Sequence, residues 1–412
     1  MTLKPLFEID IRIRRVLLLG LLARLVVMPF AVHSDCLHTY WVGSCAAFDN
    51  ESRFGMQTLL TWLHVGYLRL ASPVLPFIET FCNDFESIAS DPNATWFNIV
   101  NLHNIFRALL VFKFPYLLFD LGCALLVYRL GTDKSRSVWM LTFWWLHPLL
   151  FFGVYIFGRH ETITLFWVLL SLYLIKCGKR KWGVTALGIA IATRYYTMFL
   201  LPFYALVLYP DWKKRGVSLL LGLAPWMIVN GLSWIWLGKP EIASLVSYPS
   251  ENYLLPIKFP LAPWDNIYLF PLIYFLLILY YLYYPEHNVE ALQRYSMVSL
   301  LLMFATAYVG QSPHYWTWLL PFLTLEIARN RRLLPVHIAQ IVCLAVYGLL
   351  GGRATAGYLF GPIAPDFFWS LPSPIEIISR FVPAETLISL AHTAFSALTL
   401  WMAYLVFRRT AE

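Results

Sequence analysis

The chain has 412 residues, of which 59% are hydrophobic and only 13% are charged. Soluble domains carry about 25% charged residues, so this composition excludes a soluble protein and indicates one that lies in a membrane. The net charge of +8 does not indicate nucleic-acid binding, because the basic residues fall in short clusters between long apolar runs.

The apolar runs predict an all-α, polytopic membrane protein that forms one domain over residues 1–412. We expect about twelve membrane helices, since roughly 20 apolar residues cross a bilayer. The predicted helices cover 13–33, 106–129, 137–157, 161–176, 183–196, 197–210, 216–237, 266–284, 295–310, 313–328, 333–351 and 384–407. The fifth and sixth are too short to cross, and we interpret them as half-helices that turn at Arg194, Tyr195 and Tyr196. Broken helices of this kind border cavities at membrane depth.

The basic residues predict how these helices are oriented, because cytoplasmic helix ends carry an excess of Lys and Arg. If the two half-helices return to the side they left, every basic cluster falls on one side of the membrane. Both termini are then cytoplasmic. The clusters contain Lys4, Arg12, Arg14 and Arg15, Lys134 and Arg136, Lys176, Lys179, Arg180 and Lys181, Lys213, Lys214 and Arg215, Arg329, Arg331 and Arg332, and Arg408 and Arg409.

The opposite, extracytoplasmic face receives a long first loop over 34–105, which is rich in Asp and Glu. Within it, the stretch 54–72 has apolar residues at helical spacing and one basic end, which predicts an interfacial helix. Cys36 and Cys45 also lie in this loop. They form a disulfide if the loop faces an oxidising compartment, and free thiols are the alternative.

Asp35 lies in this loop, a few residues after the first predicted helix and between His33 and His38. A carboxylate beside two histidines at a membrane boundary has the groups that general-base catalysis uses. The alternative is a solvated loop acid with no catalytic role.

Further ionisable residues fall at the extracytoplasmic ends of the predicted helices. They are the charged turn Arg159, His160 and Glu161, the interrupting Arg194, and His314 with its neighbour Tyr315. Charged groups at such positions are costly and are often functional. Taken singly, each arginine has the alternative of extending to lipid headgroups, and each histidine that of a hydrogen-bonded core residue. Together with Asp35, the set suits an anionic lipid phosphate as substrate.

Lys113 and Asp120 lie within the second predicted helix, seven residues apart in the sequence. That spacing places them on one face of the helix at about 10 Å from each other, too far for direct pairing. We interpret them as buried structural polar groups, with a role in transport as the alternative.

The sequence resembles the GT-C superfamily of integral-membrane glycosyltransferases, in particular polyprenyl- or dolichyl-phosphate-sugar mannosyltransferases such as GPI mannosyltransferase I and related bacterial enzymes. The segments that carry the resemblance are HSDCLHTYW at 33–41, KFPYLLFDL at 113–121, WWLHP at 144–148 running to GRHE at 158–161, and SPHYWTWLLP at 312–321. The resemblance implies the GT-C fold and an inverting transferase. Such an enzyme moves a sugar, here expected to be mannose, from a lipid-phosphate carrier on the extracytoplasmic face.

Carried onto this sequence, the resemblance implies that Asp35 is the base that activates an acceptor hydroxyl. His314 and Arg194 are implied to contact the donor phosphate. Further candidates for substrate binding are His160, Arg159, Glu161, Lys258, Tyr315 and His38. The acceptor is expected to be lipid-linked or a glycan. We expect a bacterial or archaeal plasma membrane, with the endoplasmic reticulum membrane as the alternative.

The sequence departs from the family pattern at two places. Many members carry an Asp-x-Asp pair in the first loop, whereas this loop has only Asp35 at that point, so we expect a reaction that requires no metal cofactor. The turn that contains Gln and Asp in relatives contains Arg159, His160 and Glu161 here. The identity of the sugar and of the acceptor therefore stays open. A secondary transporter or lipid flippase is the alternative function, although no internal repeat supports it. A non-enzymatic membrane subunit is a third interpretation.

Overall fold

The computed structural model describes residues 11–49, 57–84, 96, 98–237, 255–306, 313–350 and 356–408. These residues are almost entirely helical, and one two-stranded hairpin is the only sheet among them. The all-α class that the apolar runs predict is therefore confirmed.

The first part of the chain contains short helices followed by longer apolar ones. In chain order they are α1 (Ile11–Val27), α2 (Ser34–Phe48), α3 (Thr58–Ala71), α4 (Phe81–Asp84), α5 (Ile105–Leu130), α6 (Lys134–Trp145), α7 (Pro148–Phe151), α8 (Glu161–Lys176), α9 (Arg180–Thr193), α10 (Leu201–Leu208) and α11 (Trp212–Leu237). Short 3-10 helices cover Ser72–Val74, Pro76–Glu79 and Tyr195–Leu200, and a π-helical turn covers Phe152–Ile156.

The second part opens with a β-hairpin and continues in helices. Its elements are β1 (Lys258–Ala262), β2 (Asp265–Tyr268), α12 (Leu269–Tyr283), α13 (Val289–Thr306), a 3-10 helix at Pro313–Leu319, α14 (Leu320–Arg329), α15 (Leu333–Leu350), α16 (Ala356–Phe360), α17 (Pro365–Ser370), α18 (Pro374–Ile378) and α19 (Ala384–Arg408). Helix α9 packs against α8 and α11, and α19 packs against α13 and α15.

Three helices of the described chain are long and apolar enough to cross a membrane: α5, α11 and α19. Helix α6 and the segment Pro148–Ile156 make a fourth if they count as one span bent by 41°. Shorter apolar helices cover Tyr195–Leu208, Leu269–Tyr283 and Leu333–Gly348. Long apolar helices satisfy their own backbone hydrogen bonds in lipid, so they identify a membrane protein. The count of about twelve membrane helices remains a prediction.

The helix interruption predicted near Arg194 is present. Helix α9 ends at Thr193, the backbone of Arg194 is extended with φ −154° and ψ 121°, and a 3-10 helix begins at Tyr195. Arg194 is only 6% exposed. Its guanidinium group therefore lies inside the protein and does not extend to lipid headgroups.

The segment predicted as a long first loop is largely helical where the structure describes it. Helix α2 begins at Ser34, so Asp35 lies in the first turn of a helix and the prediction of a loop residue is wrong at this point. The apolar residues of α2 recur at helical spacing and are buried, which explains why the segment is helical. Helix α3 lies within the stretch 54–72, and its placement at a membrane surface remains a prediction.

The disulfide in this region joins Cys45 of α2 to Cys82 of α4. The pairing of Cys36 with Cys45 is therefore wrong, and Cys36 is a buried free thiol. The reason is helical geometry, since nine residues along one helix separate two side chains by about 13 Å. Two cysteines cannot form a disulfide over that distance.

Lys113 is a buried structural group, as its place in the second predicted helix indicates. Its Nζ donates hydrogen bonds to the backbone carbonyls of Met28, Ala31 and Tyr155. These carbonyls belong to the end of α1, the connection to α2, and the π-helical turn. Lys113 thus holds together the two chain segments that lead to Asp35 and to the turn at Gly158.

Asp120 is the centre of a second buried network. It accepts hydrogen bonds from Arg24 Nε at 3.0 Å, from Trp144 Nε1 at 2.8 Å and from the Tyr155 hydroxyl at 2.7 Å. Asp120 and Arg24 are almost completely buried. A buried charge with this many partners is a structural group, and it connects α1, α5 and α6.

Candidate functional site

The candidate site is built around the turn between the π-helical segment and α8. Gly158 has φ +82°, a left-handed conformation that side chains other than glycine rarely adopt. A Cβ atom at this position would lie 2.8 Å from Cβ of Cys36, so a larger residue does not fit. The turn therefore packs against Cys36 and brings Arg159 to Asp35 in the first turn of α2.

Asp35 is held from two directions in the first turn of α2. Its backbone N–H donates to Nδ1 of His33 at 3.2 Å, which caps the helix, and its Oδ2 accepts from Nη1 of Arg159 at 3.1 Å. Its side chain is still 38% exposed. Burial raises the pKa of Asp35, but His33 and Arg159 outweigh burial and hold that pKa well below its ordinary value. The carboxyl group is therefore ionised at neutral pH.

Glu161 is the second acid of the cluster, and it is fully buried at the start of α8. One oxygen accepts from Arg194 Nη2 at 2.7 Å, and the other accepts from Trp318 Nε1 at 2.6 Å. Arg159 Nε lies 3.8 Å from the same carboxylate. Glu161 therefore balances the charge of Arg194, and Asp35 balances that of Arg159. The start of α8 also favours the negative charge of Glu161.

His160 and His314 are buried beside these arginines, at 3% and 0% exposure. Within the part of the chain that the structure describes, neither ring nitrogen of either histidine has a hydrogen-bond partner, and Nε of Arg159 and Nε of Arg194 also lack one. Burial and the two arginines hold the pKa of His160 well below its ordinary value. A neutral imidazole still offers one N–H donor, so each of the four side chains has donor capacity to spare.

Aromatic rings pack along one side of the charged groups. The ring of His33 stacks on Phe157 with 3.7 Å between the centroids, and Phe157 contacts His314 at 4.9 Å. On the other side of His314, the rings of Tyr315 and Trp318 lie 4.5 Å apart. The row of rings therefore runs from the neighbour of Asp35 to the hydrogen-bond partner of Glu161.

The row ends in a parallel stack of Trp318 on Tyr196, with 3.9 Å between the centroids and an interplanar angle of 1°. The guanidinium carbon of Arg194 lies 5.9 Å from the ring centroids of both Tyr315 and Trp318. Cations are attracted to aromatic faces at this distance. The arginine is thus held by the acid on one side and by rings on the other.

The structure brings most of the predicted site residues together. Those in one cluster are Asp35, Arg159, His160, Glu161, Arg194, His314 and Tyr315. His38 lies one turn further along α2 and is exposed, with its ring 5.7 Å from that of Trp41. Lys258 lies in the exposed strand β1 and outside this cluster. The clustered residues come from α2, the turn before α8, the start of α8, the break at Arg194 and the 3-10 helix Pro313–Leu319.

Sequence reasoning missed Trp318, Tyr196 and Phe157 as members of this cluster. Trp318 lies in the same short segment as His314 and Tyr315, about one helical turn after His314. That spacing could have predicted that it belongs to the cluster. Tyr196 follows the helix break at Arg194 and was noticed only as part of the turn. Nothing in the sequence indicates that Phe157 stacks on His33.

Among the described residues, no group of three or more His, Cys, Asp or Glu side chains is arranged to hold a metal ion. The expectation of a reaction that requires no metal remains a prediction. Comparisons with known proteins add no family, since no family model, no curated protein and no solved structure matches this chain.

Proposed function

We propose that this membrane protein is an inverting glycosyltransferase with a GT-C fold, which transfers a sugar from a polyprenyl- or dolichyl-phosphate carrier to a lipid-linked or glycan acceptor. The resemblance favours mannose as that sugar. The observation that carries the proposal is the set of unused donors on Arg159, Arg194, His160 and His314. Buried donors left over around paired arginines suit a phosphate group, which accepts several hydrogen bonds at once.

Asp35 is the base in this reaction. Its ionised, partly exposed carboxylate takes the proton of the acceptor hydroxyl. The acceptor oxygen forms a bond to the anomeric carbon as the bond from that carbon to the phosphate oxygen breaks. The lipid phosphate leaves with the electron pair of that bond, and Arg159 and Arg194 stabilise its added charge.

Arg159 has a second role, because it pairs with Asp35 over 3.1 Å before substrate arrives. An anionic donor phosphate competes with the carboxylate for the guanidinium group. When Arg159 turns toward the phosphate, Asp35 loses its strongest cationic neighbour and becomes a stronger base. Donor binding thus activates Asp35, so the donor binds before the acceptor reacts.

An apolar cavity of about 740 Å³ offers a place for the lipid chain of the donor. Within the part of the chain that the structure describes, its wall consists of apolar residues and glycine, which are Pro148, Leu149, Phe152, Ile156, Ile341, Leu344, Ala345, Gly348, Ala356, Leu359, Phe360, Leu371, Pro372, Pro374 and Ile377. A wall of this kind offers a polar ligand no hydrogen-bond partners, whereas a hydrocarbon chain needs none. The cavity therefore suits a polyprenyl chain better than a polar ligand.

The cavity and the charged cluster are adjacent. The π-helical turn separates them, since Phe152 and Ile156 line the cavity while a Cβ on Gly153 would lie 3.0 Å from Cβ of His314. The backbone of Val32 also donates to the carbonyl of Leu359, a cavity residue, at 2.9 Å. We therefore propose that the lipid phosphate has its head at the arginines and its chain in the cavity, on the two sides of the π-helical turn.

Binding of lipids to the protein in nanodiscs tests the substrate class. We expect polyprenyl phosphate to bind far more tightly than uncharged polyprenol of the same length. Arg194→Ala should weaken phosphate binding at least about tenfold, because a hydrogen bond to a charged group contributes about 1.5–3 kcal/mol. The control is Arg294→Ala, which removes an arginine paired with Glu286 outside the cluster. Equal binding of the two lipids by the wild-type protein contradicts the proposal.

A further inference from the structure

The hairpin formed by β1 and β2 presents apolar side chains to its surroundings. Phe259 and Ile267 lie opposite each other in the register and share one face, and they are 53% and 39% exposed. Leu261, at the irregularity in the register, is 65% exposed, and Trp264 in the turn is 87% exposed. Apolar residues grouped in this way on a surface mark a contact with a partner or a membrane.

The other face of the hairpin is more polar. Lys258 pairs with Tyr268, and Pro260 pairs with Asn266. Side chains alternate between the two faces of a strand, so Lys258 and Asn266 point away from Phe259. The hairpin is thus amphipathic, with tryptophan at its end and lysine at its base, the residue types enriched where membranes meet water.

The hairpin is joined directly to a helix whose outer side is also apolar. Leu269, the first residue of α12, donates its N–H to the carbonyl of Ile257 at 3.0 Å, which fixes the base of the hairpin to the start of the helix. One side of α12 is packed inside the protein through Phe270, Tyr274, Leu277 and Tyr281. The opposite side exposes Leu272, Phe275, Leu276, Leu279 and Tyr283.

The exposed residues of α12 recur at helical spacing, so they form one continuous apolar stripe. A helix that is apolar on all sides is either buried in protein or in contact with a membrane, so in this membrane protein the stripe faces lipid hydrocarbon. The hairpin is joined to the N-terminal end of α12, and thus to one end of this stripe. Its apolar face therefore continues the lipid-facing surface of α12 to the boundary of the membrane.

We infer that the hairpin β1–β2 is a membrane-interface anchor, which inserts Trp264, Leu261 and the Phe259–Ile267 face into the boundary between lipid headgroups and acyl chains. The partner is the bilayer that surrounds the protein, at a depth of about 5–10 Å from the headgroup boundary. Lys258, on the opposite face, then meets headgroup phosphates.

Depth-dependent fluorescence quenching tests the anchor. In a Cys177→Ser background, which removes the exposed free thiol, Trp264→Cys carries an environment-sensitive fluorophore in nanodiscs. We expect quenching by lipids with a nitroxide near the headgroup to exceed quenching by lipids with a nitroxide at the end of the acyl chain, and we expect little quenching by aqueous iodide. Leu261→Cys provides a second position with the same expected pattern.

The control is Glu290→Cys, since Glu290 is 74% exposed at the start of α13 and carries a charge. Its fluorophore should be quenched by iodide more strongly than the hairpin fluorophores. The inference is overturned if the hairpin positions respond to iodide as Glu290→Cys does. Protection from both lipid nitroxides and iodide also overturns it, because the hairpin then lies against protein. Neither result depends on the proposed transferase activity.

Discussion

Arg159 Nη1 donates a hydrogen bond to Asp35 Oδ2 over 3.1 Å, although the two residues are 124 positions apart in the chain. The contact joins the charged turn before α8 to the first turn of α2. It places a carboxylate that can accept a proton beside a guanidinium group that can bind phosphate. A transferase that uses a lipid-phosphate sugar needs both groups at one point.

Replacement of Asp35 by Asn should remove the base and leave the shape of the side chain unchanged. We expect the rate of sugar transfer to fall about 10²–10⁴-fold, the contribution typical of general-base catalysis. Initial rates measured at saturating donor give the effect, and donor binding should persist. Asp133→Asn is the matched control, because Asp133 caps α6 and is exposed. A variant at Asp35 that keeps its full rate rules this residue out as the base.

The dependence of the rate on pH should show whether Arg159 leaves Asp35 and binds the donor phosphate. In the free protein the pKa of Asp35 lies well below its ordinary value. The profile of kcat/KM for the donor follows the free protein, and the profile of kcat follows the bound complex. Activity is lost as the pH falls through the relevant pKa. The acid limb of kcat should therefore lie at higher pH than the acid limb of kcat/KM.

Arg159→Ala provides the control for this profile, because it removes the cation that holds the pKa of Asp35 down. The acid limb of kcat/KM should then move to higher pH and approach that of kcat. Superimposable acid limbs in the wild-type protein would mean that Arg159 does not leave Asp35 when the donor binds.

Glu161→Gln should destabilise the protein, because the change leaves the buried guanidinium of Arg194 without its carboxylate partner. Removal of one partner from a buried ion pair costs about 3–5 kcal/mol. Thermal unfolding in detergent, followed by intrinsic fluorescence, gives the measurement. Glu290→Gln serves as the comparison, since that acid is exposed and should have little effect. Equal midpoints for the two variants contradict the structural role of Glu161.

The disulfide between Cys45 and Cys82 closes 37 residues of chain, so it should stabilise the folded protein by about 4 kcal/mol on a chain-entropy estimate. Cys45→Ser and Cys82→Ser should lower the unfolding midpoint by the same amount, and the double variant should lower it no further. Peptide mapping without reduction should recover the linked peptides. A disulfide bond that joins Cys36 to another cysteine contradicts the assignment.

The sequence predicted the helical class, the break at Arg194 and most members of the charged cluster. These predictions succeed because apolar runs and charges within them are local features of the chain. The interaction partners of each charged residue could not be predicted, because they depend on packing between distant segments. No local pattern shows that Trp318 bonds to Glu161 or that Cys45 pairs with Cys82.

The helical start of α2 was missed for a related reason. The segment after the first predicted helix is short and mixed in composition, which is typical of a loop. Its buried face is stabilised by contacts with α3 and α4, and such contacts are tertiary. As a result, Asp35 lies in a helical turn that holds its carboxylate against Arg159.

Label transfer by the purified protein tests the central claim most directly. The protein, reconstituted in liposomes, is incubated with polyprenyl phosphate that carries radiolabelled mannose, glucose or arabinose, together with an extract of membrane lipids as acceptor. We predict that the label of one sugar moves to a new lipid or glycan product, and that Asp35→Asn slows this movement about 10²–10⁴-fold. If the labelled lipid crosses the bilayer unchanged, or if all label stays on the lipid phosphate, the protein is not the proposed transferase.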